Sequence, residues 1–306
     1  MKIIARSAVL LIALLCSGMI SAKSDVKIAI TFDDLPLHND LPPGTTRQQI
    51  VKEIAVALKS AHAPKVYGFV NAVHLQNDPT LAAVFTDWRA TGFSLGNHTW
   101  SHANLNDLTV EEITEEILKD EDSLKQYAKG TDWHWFRYPY LAEGKDEAKR
   151  KAIRDLLAQH GYHIAAVTMS FSDYAWNGPY ARCVAKADEQ AIKLLEKNYL
   201  LVAAEAIEQS HTMSNILYNR DIPYVLLMHV GGFDAHMMPR LLAMYKAKGV
   251  KLITLQDAEK DSAYASDFNP SLPADPAGLE ARMWARKLAV PGGDLSLTSI
   301  LNTICK

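Results

Sequence analysis

The chain is poor in cysteine, nearly balanced in charge and without a long apolar run. Lysine and arginine number 32 against 35 aspartates and glutamates, a formal charge of −3. No strong field therefore favours nucleic acid or an anionic membrane. No apolar stretch reaches the ~20 residues needed to span a bilayer. Internal repeats and low-complexity segments are also missing. What remains is a 306-residue chain, 48% hydrophobic and 22% charged, the composition of a folded soluble protein of one large domain or two ordinary ones.

Residues 1–22 stand apart. Lys2 and Arg6 precede the apolar run Ala8-Val9-Leu10-Leu11-Ile12-Ala13-Leu14-Leu15, and Ser21-Ala22 precede polar Lys23-Ser24-Asp25. This is a charged n-region, a short h-region and a small-residue cleavage site, so a signal peptide is expected over 1–22. Its removal takes Cys16 with it. Cys183 and Cys305 remain, and an even pair in an exported protein predicts a disulfide tying the C-terminus to the middle of the chain. The expected location is periplasmic or secreted, with no stable membrane insertion after cleavage.

Short apolar, β-branched or aromatic runs alternate with helical patterns. Strands are expected at Lys27–Phe32, Lys65–Val70, Phe93–Gly96, Trp133–Arg137, His163–Thr168, Tyr224–His229 and Lys251–Leu255. Helices are expected at Arg47–Ala61, Leu81–Thr91, Val110–Tyr127, Lys145–His160, Ala185–Asn219 (with a break near Asn198) and Pro239–Lys248. Thr109 with Glu112 forms a capping box, Gly161 and Gly249 read as C-terminal caps, and Pro239 fits a first helical turn. The alternation predicts an α/β fold, an irregular (β/α) barrel of about seven parallel strands. Residues 23–258 are the expected catalytic domain. Residues 259–306, with Pro270, Pro273, Pro276 and Gly278, read as a tail packed on it.

The chemically rich segments all fall where strands end, at the mouth of such a barrel. Asp33 and Asp34 follow an apolar strand; on an extended chain they face opposite ways, but a turn at the strand end lets both reach one pocket. His98 and His102 have a spacing that places both imidazoles on one side of a helical turn. One aspartate and two histidines suffice to hold a catalytic divalent metal with one open position. The other aspartate is then free to act as a base, a pattern of metal-assisted hydrolysis. Arg137 closes an aromatic run and can grip a carboxylate bidentately. Tyr140 offers a backbone N–H to a developing oxyanion. His229 can protonate a leaving amine. Asn97-His98-Thr99 is a glycosylation sequon, set aside because a glycan there blocks the site.

In order and content, Thr31–Asp34, His98–His102, Arg137–Tyr140, Asp173–Trp176 and Leu227–His229 resemble the five motifs of the polysaccharide deacetylase family of carbohydrate esterases, over about residues 25–258. The resemblance implies an irregular (β/α) barrel and a divalent metal, usually zinc, held by Asp34, His98 and His102. It further implies Asp33 as general base oriented by Arg137, His229 as general acid, and Asp173 as the residue that holds or tunes His229. The chain departs from the family pattern twice. Leu35 follows Asp33-Asp34 where glycine is usual, and Trp176 lies three residues beyond Asp173 where the two are usually adjacent. The expected reaction is removal of N-acetyl groups from an acetylated oligo- or polysaccharide. The alternatives are an O-acetyl esterase with the same site and a non-catalytic glycan-binding protein. Trp100, Tyr140, Tyr174 and Trp176 are candidates for stacking on sugar rings. His74 and His236 are read as a loop residue and a helix-start residue.

Overall fold

The computed structural model describes residues 26–293 and 297–306. The leader expected over 1–22, Cys16 included, lies outside the described residues. Seven parallel strands form one sheet: β1 (Lys27–Leu35), β2 (Tyr67–Val70), β3 (Ser94–Asn97), β4 (Trp135–Phe136), β5 (His163–Ile164), β6 (Tyr224–His229) and β7 (Lys251–Leu252). Their order is β5-β4-β3-β2-β1-β6, with β7 pairing the first residues of β1 beside the point where β2 begins. The sheet curls on itself. The segment after β5 reaches β6 through a parallel bridge between Met169 and Leu226, reinforced by Leu227 N–H donating to Met169 O at 3.1 Å.

The helices are α1 (Arg47–Ser60), α2 (His74–Asn77), α3 (Ala82–Ala90), α4 (Val110–Tyr127), α5 (Glu147–Gln159), α6 (Tyr174–Ala185), α7 (Glu189–Tyr218), α8 (Gly232–Ala247), α9 (Leu255–Glu259), α10 (Ala265–Phe268), α11 (Gly278–Ala285) and α12 (Thr298–Leu301). Helix α1 buries Ile50, Val51, Ile54, Ala55 and Leu58 against α3 and α8, a one-sided stripe of helical period. Helix α4 starts where Thr109 accepts from Glu112 N–H and the Glu112 carboxylate accepts from Thr109 N–H, a reciprocal cap worth about 1 kcal/mol. Gly161 and Gly249 adopt φ of 72° and 79°, the left-handed geometry that ends a helix before a strand.

Three expectations are corrected. Helix α7 runs unbroken through Asn198 because Leu195, Tyr199, Val202, Ala203 and Ala206 form a continuous buried stripe. The helix expected from Ala185 begins instead at Glu189, and Ala185 closes a separate helix, α6, which the sequence reading did not expect and which holds Pro179 in its interior. Pro239 is likewise interior to α8, which begins at Gly232. In both helices burial of an apolar face outweighs the hydrogen bond lost at proline.

The described residues beyond Ala258 pack on the strands and helices. Glu259 accepts from Ala166 N–H at 2.8 Å, in the segment that closes the curl. Leu279 and Met283 of α11 are buried. Arg282 donates to Tyr218 Oη at 2.8 Å, Ala263 O at 2.7 Å and Asp267 Oδ2 at 3.1 Å. Cys183 of α6 and Cys305 are joined by a disulfide across 122 positions.

Candidate metal centre

Strand register assembles the site. Asp33 on β1 lies directly opposite His229 on β6, and Asn97 at the end of β3 pairs with Phe136 on β4. His98 and Arg137 are the next residues after these last two, so four strands deliver their side chains to one rim. Asp34 takes φ of 63°, and this turn lets two successive carboxylates enter one cleft. Leu35, in place of the expected glycine, is buried and points away from that cleft. It fills the space over Gly68, where an added Cβ would come within 2.9 Å of its methyls. The departure therefore changes core packing on β1 and β2.

Asp34 Oδ1 lies 3.5 Å from His98 Nε2 and 3.3 Å from His102 Nε2. It is buried and accepts no hydrogen bond. An orphaned carboxylate oxygen facing two imidazole nitrogens is the arrangement a divalent cation satisfies, and one oxygen with two nitrogens suits zinc or a similar ion. His98 Nδ1 donates to Arg137 O at 2.7 Å, which leaves the Nε2 lone pair facing Asp34. Burial, with the neighbouring His98 imidazole, lowers His102 to about 4, so it offers a neutral ring for coordination over the ordinary pH range. The expected placement of the two histidines on a helical turn is corrected. Residues 98–102 are a loop in which Thr99 and His102 have φ of 64° and 58°, and that path brings the ring centroids to 4.8 Å. Asn97 is fully buried and donates to Ile117 O and Tyr162 Oη, so the sequon is inaccessible in the fold.

Asp33 sits 3.6 Å from His98 Nε2 and is gripped by Arg137, whose Nη1 lies 3.1 and 3.3 Å from its two oxygens. Arg137 is itself buried, donating to Ala165 O at 2.7 Å and to Thr31 Oγ1 at 3.0 Å, with its guanidinium over the Phe69 ring. On the other side, His229 Nε2 lies 3.9 Å from Asp34 Oδ2. Asp173 Oδ2 accepts from His229 N–H at 2.6 Å, and the His229 Nδ1 lies 3.2 Å from both Asp173 oxygens. Burial alone would lower His229; the Asp173 carboxylate, aided by Asp34 and Asp33, outweighs it and raises the imidazole to about 10. Asp34 shows the converse. Burial pushes it up, but the His38 hydrogen bond, the His98 imidazole and the charge at His229 hold it well below the usual carboxylate range.

Two exposed tyrosines border the cleft. The Tyr140 ring lies 4.5 Å from the His102 ring, and its backbone has φ of 55°; the Tyr174 ring stands 5.6 Å from His229. Trp176 is fully buried and stacks on Phe233, and Trp100 lies half-buried under Lys119. The sugar-stacking expectation for Trp176 is therefore corrected. His74 opens α2, and His236 pairs with Glu196 at 2.7 Å, both outside the cluster. His38, which sequence reasoning passed over, is inside it: its Nδ1 lies 2.7 Å from Asp34 Oδ2. The signal was the Asp34-Leu35-Pro36-Leu37-His38 spacing.

A curled parallel α/β sheet with a carboxylate–imidazole cluster at the carboxyl ends of its strands defines the class. The family model of polysaccharide deacetylase matches residues 21–165. The chain is similar to a chitin deacetylase of Arthroderma benhamiae, 29% identical over 147 residues, 48% of this chain and 35% of that protein. The alignments span about a third of the length of the curated relatives. In fold it is similar to the chitin deacetylase of Colletotrichum lindemuthianum, with a TM-score of 0.51, 20% identity, and 79% and 91% of the two chains covered. It is also similar to the Xyl-CE4 domain of a multidomain xylanase from the hindgut metagenome of Trinervitermes trinervoides, with a TM-score of 0.53, 14% identity, and 84% and 99% covered. The match to the polysaccharide deacetylase model thus covers 145 of the 306 residues, somewhat under half of the chain.

Proposed function

We propose that this chain is a metal-dependent hydrolase that removes N-acetyl groups from an acetylated oligo- or polysaccharide. The observation that carries the reading is the convergence of Asp34 Oδ1, His98 Nε2 and His102 Nε2 between Asp33 and His229. A divalent cation on those three residues, zinc by its ligand set, supplies Lewis acidity to an acetyl carbonyl and lowers the pKa of a water molecule. Asp33, held by Arg137, takes the proton of the attacking water. The Tyr140 N–H faces the charge developing on the carbonyl oxygen. His229, kept protonated by Asp173, gives its proton to the departing nitrogen, and acetate leaves. A cation held by Asp34, His98 and His102 would, by its own charge, favour release of the His229 proton to the departing nitrogen.

The completeness of the Asp173–His229 pair favours an amide, whose leaving nitrogen needs a proton more than an ester oxygen does. Residues 23–258 serve as the catalytic domain and 259–306 as its packed tail. Residues 1–22 direct export, which accords with the disulfide. The test is acetate release from N-acetylated and O-acetylated oligosaccharides by zinc-loaded protein. His98→Ala should lose both bound zinc and acetate release. Full activity with normal zinc content in that variant sinks the mechanism, and preference for the O-acetylated panel replaces the amidase with an esterase.

A further inference from the structure

We propose that His38 is the positioning residue that divides the labour of Asp34, fixing one carboxylate oxygen so that the other is presented to the cation. This inference rests on the reading of Asp34, His98 and His102 as metal ligands. The two oxygens of Asp34 stand in different surroundings. Oδ2 receives the His38 Nδ1 contact at 2.7 Å, whereas buried Oδ1 has no hydrogen-bond donor and faces His98 and His102. The His38 tautomer follows from its other side. Asn39 Nδ2 donates to His38 Nε2 at 3.0 Å and to Tyr174 O at 3.0 Å. With Nε2 accepting, the ring proton is on Nδ1 and points at Asp34. Tyr174 O also lies 3.5 Å from Nε2, the longer of the ring's polar contacts.

The loop that carries His38 is braced independently. Arg47, the first residue of α1, donates to His38 O at 2.7 Å and to Asn39 O. The His38 ring also lies 4.5 Å from the His229 ring at 37°, so one side chain restrains both the ligand carboxylate and the imidazole opposite it. His38, Asp34 and His229 could themselves be read as three ligands of an ion. The 2.7 Å separation argues otherwise. Two ligands of one tetrahedral zinc, each about 2 Å from it, lie roughly 3.3 Å apart, while 2.7 Å is a charge-assisted hydrogen bond. A partner on the free oxygen of a ligating carboxylate orients it, and losing such a partner costs about 10–100-fold in metal affinity.

The experiment measures zinc affinity and stoichiometry by competition with a chromophoric chelator, beside the unfolding midpoint of the zinc-free protein. Wild type should bind one zinc. His38→Ala should bind one zinc about 10–100-fold more weakly, with its zinc-free midpoint close to wild type. His38→Asn, whose side-chain amide can replace the Nδ1 donor, should recover most of the affinity; this rescue separates positioning from general stability and keeps the test usable if the alanine variant folds poorly. Affinity within twofold of wild type in His38→Ala, or no recovery in a folded His38→Asn, overturns the proposal. Two zincs in wild type and one in His38→Ala make His38 a ligand and overturn it as well. Absence of zinc binding by wild type sinks the metal reading itself, an outcome distinct from these.

Discussion

Asp33 and Asp34 are chemically identical neighbours, yet their surroundings set them apart. Asp33 faces a guanidinium that is itself buried and fully occupied, so its oxygens are held in place. Asp34 turns out of the strand and meets four imidazoles, those of His38, His98, His102 and His229. His229 owes its proton to a carboxylate, and this has a measurable sign. Its folded value is raised, so the protonated acid is present at low pH and is lost as pH rises through that value, about 10 in the metal-free chain. Asp173→Asn keeps an acceptor for the His229 N–H but removes the charge. The alkaline limb of kcat/KM for acetate release should then move about 1–3 units to lower pH. An unshifted limb in that variant would show that a different group donates the proton.

At the scale of elements, a loop carries His98 and His102, the end of β1 carries Asp34, and the strands set their spacing. The strand ends were legible because apolar runs stop at Asp33, His98, Arg137 and His229, and α4 was legible from Thr109 and Glu112. Helix α6 was not, because Gly178-Pro179 signals a break that burial of Trp176, Ala181 and Cys183 overrides. The histidine pair was found for its spacing, but its true geometry depends on two left-handed residues that no periodicity reveals. His38 stayed hidden because its contact with Asp34 exists only once Asp34 has turned. The turn from β6 into α8 shows how tightly such junctions are built. A Cβ on Gly231 would meet the Asn177 side chain at 2.1 Å. Asn177 cannot yield easily, since it donates to Asp234 Oδ2 at 2.7 Å and accepts from Phe233 N–H at 2.8 Å. Gly231→Ala should cost about 1–3 kcal/mol in urea unfolding. Gly178→Ala, whose nearest neighbour is an Arg182 nitrogen at 3.6 Å within a helix, should be neutral or stabilising by up to about 1 kcal/mol. A reversal of that order would refute the packing argument.

Over the whole molecule, closure of the curled sheet and anchoring of the C-terminal residues are linked. Glu259 bonds the segment that bridges to β6, Arg282 ties α11 to α7, and Arg182 of α6 donates to Leu301 O and Ile304 O near the chain end. The disulfide adds a covalent tie between the same two regions. Because the native contacts around it are already made, its main effect falls on the unfolded chain, where it closes a loop of more than a hundred residues. The chain-entropy model sets an upper value near 5 kcal/mol, and typical bridges deliver about 2–4 kcal/mol. Wild type in reductant and the Cys183→Ser/Cys305→Ser double variant should therefore unfold at matching, lower urea concentrations than the oxidised protein, with zinc affinity unchanged because neither sulfur lies in the Asp34, His98 and His102 cluster. Equal midpoints for oxidised and reduced protein would mean that the noncovalent contacts of the C-terminal residues persist in the unfolded chain, leaving the bridge without a loop to close.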